Sequence, residues 1–71
     1  MIIIKQEHID EMYMLMRMKQ DNAYIVLNEY NGYSTICQYT SRYDNLHIVN
    51  VKTENLKSDS RLRSADDIAR E

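Results

Sequence analysis

Residues 23–40 read AYIVLNEYNGYSTICQYT, and the Asn31-Gly32 pair near their centre decides the fold. Asn-Gly between two β-rich runs is the strongest short-range hairpin signal, because a type I′ turn needs φ > 0 at both central residues. The pattern predicts strands at about 23–30 and 33–40. A regular ladder closed by that turn sorts their side chains onto two faces. One face is expected to carry Tyr24, Val26, Tyr30, Tyr33, Cys37 and Tyr39, and the other Ile25, Leu27 and Ile36. Both faces then hold apolar groups, and a short chain must cover two surfaces or leave one for a partner.

Downstream, Ser41-Arg42-Tyr43-Asp44-Asn45 reads as a polar loop and Leu46–Lys52 as a third strand. A five-residue loop setting Thr40 opposite Leu46 would add His47, Val49 and Val51 to the tyrosine face. Leu46 and Ile48 would join Ile25, Leu27 and Ile36. A slip of one residue exchanges those memberships.

Upstream, Met12, Met14, Met16 and Met18 alternate as on a strand, which keeps open a mainly-β meander with residues 11–19 as a strand. Propensity points the other way: residues 10–20 hold no β-branched side chain and are rich in helix formers. Asp10 suits a first-turn carboxylate, and Asp21-Asn22 suits a stop. The helix is expected to bury Ile9, Met12, Tyr13 and Met16, leaving Met14 and Met18 as a soft contact pair on its far side. Residues 2–4 favour a short strand.

From Thr53 onward apolar residues thin to Leu56, Leu62, Ala65, Ile68 and Ala69, and residues 54–71 read as a polar extension of a single 1–53 domain. Ser64-Ala65-Asp66-Asp67 resembles a capping box, predicting a short helix at about 65–70. The expected fold class is α+β: one N-terminal helix on a three- to four-strand antiparallel meander, with a weak C-terminal helix. The order helix, three strands, helix is superficially similar to that of double-stranded-RNA-binding domains. The last helix is acidic where phosphate contact needs lysines, and no family is assigned.

Composition narrows the function classes. At 71 residues one core is marginal, and small chains add disulfides, a metal or a partner subunit. Cys37 is the only cysteine, which excludes an internal disulfide and fits a reducing, cytoplasmic setting. His8, Asp10 and Glu11 do not converge on a helix, so no metal or other cofactor is expected. One glycine cannot build a phosphate cradle. A net charge of −2 favours neither polyanions nor membrane surfaces, and Met1–Ile4 is too short for a signal peptide or a span. Abundant Asn, Ile, Tyr and Met with no proline is a bias associated with AT-rich genomes such as those of phages and mobile elements.

Cys37 and His47, diagonal on one face in the expected register, are the nearest approach to a nucleophile and base. A buried, inert cysteine is the plainer reading. The expected function is therefore non-enzymatic: a small protein-binding regulator, inhibitor or adaptor that self-associates. Tyr24, Tyr30, Tyr33 and Tyr39 would form its interface, with Met14 and Met18 as adaptable contacts. The alternative is an RNA or single-stranded-DNA module stacking bases on Tyr30, Tyr33 and Tyr39 beside Arg42.

Overall fold

The computed structural model describes residues 4–70. Its elements are α1 (Gln6–Met18), β1 (Ala23–Tyr30), β2 (Tyr33–Thr40), β3 (Asn45–Lys52), α2 (Thr53–Ser58), β4 (Arg63–Ser64) and α3 (Ala65–Ala69). The chain is α+β. One sheet of order β3-β2-β1-β4 carries the antiparallel β1–β2–β3 meander, with β4 added parallel to β1. The strand expected at residues 2–4 lies outside the described residues except for Ile4, which is not in a strand.

The Asn31-Gly32 turn forms as its sequence demands, with φ of 52° and 79°, and pairs Tyr30 with Tyr33. Three pairs further on the ladder breaks: Asn28 opposes Thr35, but Val26 opposes Ile36, so Leu27 is the extra residue of a β-bulge. At the far end of β2 a four-residue turn, Ser41–Asp44, sets Thr40 opposite Asn45 instead of Leu46. Asp44 closes that turn in the left-handed region, at φ 48°.

Both ladders flanking β2 are therefore shifted by one residue from the regular expectation. β2 exchanges faces with respect to β3 and to the part of β1 before the bulge. Ile25, Cys37, Tyr39, Leu46 and Ile48 share one face; Tyr24, Val26, Ile36, His47, Val49 and Val51 share the other. The expected grouping of Cys37 and Tyr39 with Tyr24, and of Ile36 with Ile25, is corrected by these two shifts.

The first face is the core. Leu15 of α1 is fully buried there with Ala23, Ile25, Leu27, Cys37, Tyr39 and, from α3, Ala65. The buried stripe of α1 is centred on Leu15, about a third of a turn from the expected Ile9/Met12/Tyr13/Met16 stripe, and Tyr13 is 65 % exposed. The centring on Leu15 accounts for the alternating methionines. At about 100° per residue, Met12 and Met16 lie on one flank of Leu15, and Met14 and Met18 lie symmetrically on the other. All four are half-buried against the core, so the unbranched side chains fill both grooves beside the helix. Helix α1 ends where Lys19 turns left-handed, at φ 53°, and its N–H bonds back to Leu15 O.

The second face is crossed by the link from β3 to β4. Thr53 shares a 2.8 Å hydrogen bond with the buried Ser34 hydroxyl. Asp59, Arg61 and Leu62 line a depression together with Gln38 and Asn22 at the far side. Ile36, between those two points, is completely buried. The polar run after Thr53 is thus folded onto the body, carrying the unforeseen α2 and β4. Ser64 caps α3 by accepting a hydrogen bond from Asp67 N at 3.1 Å, as the capping-box reading predicts.

Candidate functional site

Helix α1 covers the core face over only part of the strands' length. Beyond it, at the Asn31-Gly32 end, the same face is open. Tyr30 and Tyr33 stand there as a cross-strand pair, 73 % and 51 % exposed. They line a shallow depression of about 590 Å³ with Asn28, Asn31, Thr35 and Asn50. The bulge at Leu27 makes this surface. It keeps the apolar Ile25 and Leu27 under α1 while turning Asn28 and Tyr30 to the same side further along.

The floor is pre-ordered. Thr35 Oγ1 donates to Asn50 Oδ1 at 2.6 Å, tying β2 to β3 across the depression. No charged side chain lines it. It presents two phenol rings, three carboxamides and a hydroxyl, a surface that offers flat apolar area and hydrogen bonds in both senses.

The other expected site residues fall elsewhere. Tyr24 is buried on the opposite face, where removal from water and the nearby Asp67 charge raise its phenol pKa. Tyr39 is buried in the core and donates from its hydroxyl to Asp44 Oδ1 at 2.5 Å. Met14 and Met18 are packed against the core and not displayed. Of the four tyrosines expected to share a face, Tyr30 and Tyr33 alone form a joint exposed surface.

Arg42 sits in the β2–β3 turn, its guanidinium 5.3 Å from the Tyr43 ring centre. The length of β2 separates that turn from Tyr33, roughly 24 Å at strand rise. The Tyr30, Tyr33, Tyr39 and Arg42 set proposed for nucleic acid is thus dispersed: two exposed rings at one end, one cation at the other and one ring in the core.

Cys37 and His47 are on opposite faces, because Cys37 pairs with Ile48 and His47 with Gln38. They do not form a nucleophile and base. Cys37 is buried, which pushes its thiol pKa up and disfavours the reactive thiolate. Among the described residues no group of three His, Cys, Asp or Glu side chains is placed to hold a metal ion. Among the same residues no helix is long and apolar enough to cross a membrane.

Asn28, Thr35 and Asn50 escaped the sequence reading. Their signal is positional: polar residues on the core face of a strand mark the length that no helix covers. No family model matches the chain, and no curated protein and no solved structure matches it either.

Proposed function

We propose that the protein is a small non-enzymatic binding module, acting as a regulator, inhibitor or adaptor, that engages a protein partner through the Tyr30/Tyr33 surface. The observation that carries this reading is the exposed tyrosine pair set among uncharged amides on an ordered floor. Tyrosine is enriched at protein interfaces because it supplies large, amphipathic area while few torsions are immobilised. Asparagine beside it satisfies backbone groups of either polarity. A phosphate-tracking surface needs several cations along the groove; none lines this depression, and the neighbouring Lys52, opposite Tyr33, supplies one.

A photo-cross-linking amino acid at Tyr30 tests the reading in extracts of the native host. The expected product is a discrete adduct that protease removes, nuclease leaves intact, and Tyr33→Ser abolishes. An adduct removed by nuclease, or one indifferent to Tyr33→Ser, would overturn it.

A further inference from the structure

The two edges of the sheet differ sharply. At one edge β4 is two residues long. At the other, β3 runs eight residues with an unbroken ladder to β2, and six of its side chains are exposed. Natural edge strands are blunted by proline, bulges, central charges or a covering segment. β3 has no proline and no bulge, and its single Lys or Glu/Asp charge is the terminal Lys52. It also shows Ile48 on one face and Val49 on the other, 53 % and 37 % exposed.

Among the described residues no strand pairs with this edge, and the outward direction of its hydrogen-bonding groups follows from the ladder to β2. Thr53 N donates to Gly32 O at 2.8 Å, so Thr53 points its backbone toward β2. By alternation Val51, Val49, His47 and Asn45 do the same, and Leu46, Ile48 and Asn50 point outward. The Leu46 N–H is held by the Asn45 side chain at 2.8 Å, which agrees with that assignment.

We propose that this edge pairs antiparallel with β3 of a second copy about a two-fold axis at Ile48, making one continuous sheet across a dimer. Ile48 then opposes Ile48 of the second copy, and Leu46 opposes Asn50, once the Asn45 amide swings aside. On the other face Val49 packs on His47. Charge selects this register over its neighbours. Centred on Ile48, Lys52 at the end of the strand comes beside Asp44 of the β2–β3 turn, and Glu54 in the first turn of α2 comes to the same end as Arg42 of that turn, each twice by symmetry. A centre at Val49 sets Asp44 against Glu54, and a centre at His47 sets Arg42 against Lys52, both like-charged. This interface shares only Asn50 with the Tyr30/Tyr33 depression and does not depend on the function proposed for it.

Single-cysteine cross-linking of the full chain in a Cys37→Ala background tests the register, since native Cys37 lies directly opposite residue 48 and would compete for the new thiol. Residues facing across the axis in a hydrogen-bonded antiparallel pair have Cα atoms about 5.5 Å apart, within disulfide reach. In that background Ile48→Cys should therefore become a covalent dimer under mild oxidation, with Tyr30→Cys remaining monomeric. Sedimentation across dilution should show a dimer that Arg42→Glu weakens about fivefold and Arg42→Glu with Glu54→Arg restores. A monomeric wild type at high micromolar concentration, an Ile48→Cys chain that does not cross-link, or a double variant no tighter than the single would each overturn the proposal.

Discussion

Tyr39 and Asp44 are joined by a 2.5 Å hydrogen bond in which the phenol donates to Oδ1, and Lys19 Nζ reaches that same oxygen at 2.8 Å. One carboxylate thus ties the end of α1, the core ring of β2 and the β2–β3 turn that sets the register. Lys19 foremost, and then Tyr39, hold the Asp44 pKa below its ordinary 3.8, and the bond to Asp44 raises the Tyr39 phenol above its ordinary 10.0.

The pH dependence follows from those directions. The Asp44 contribution to stability is complete above its unfolded pKa and is lost as pH falls through the lower folded value. The Tyr39 contribution is complete below its unfolded pKa and is lost as pH rises through the higher folded value. Urea midpoints measured from pH 2 to 11 should show Asp44→Asn less stable than wild type at neutral pH, with the gap closing in acid. Asp59, held low by Arg61, leaves a residual acid limb in that variant. A gap that stays constant in acid would contradict this assignment.

Helix rotation has a direct readout. Leu15→Ala removes a fully buried side chain and should cost about 2–5 kcal/mol. Tyr13→Ala, on the exposed side, should stay within about 0.5 kcal/mol of wild type. A larger cost for Tyr13→Ala than for Leu15→Ala in chemical denaturation would mean that the expected Ile9/Tyr13 face is the buried one.

Cys37 should behave as a core residue. In native buffer its labelling by a thiol reagent should be slow and should accelerate in step with unfolding by urea. Iodoacetamide labelling followed by mass spectrometry measures this, and rapid native labelling would disprove the burial.

At the hairpin, Gly32→Ala puts a side chain at φ 79°, where nothing lies within 4 Å of the added carbon. The cost is therefore conformational and not steric, about 1 kcal/mol. A thermal melt that does not shift would show that the turn had relaxed to another type.

Two places show where local chemistry stopped being sufficient. Ser64 with Asp67 announced α3, because a cap bond spans three residues and needs nothing distant. Leu27 announced no bulge. An extra residue in β1 stabilises the fold only because it lets Ile25 and Leu27 both reach the core under α1 and Asn28 turn out past the helix end, a matter of which element covers which length of sheet. β4 was equally illegible, since two residues of Arg63-Ser64 carry no pattern until β1 offers them an edge.

By itself, then, the sequence determined the turn at Asn31-Gly32, the three long strands, the helical choice for the methionine segment and the cap of α3, all set by backbone preferences acting within a few residues. Tertiary structure alone decided the face of every side chain on β2, the rotation of α1 about Leu15 and the separation of Tyr30 and Tyr33 from Tyr24 and Tyr39. Side-chain alternation in a strand has period two, so a one-residue shift that costs little locally reverses a whole strand. The shift is selected by what must be buried on each side at once, and that selection is a property of the packed molecule.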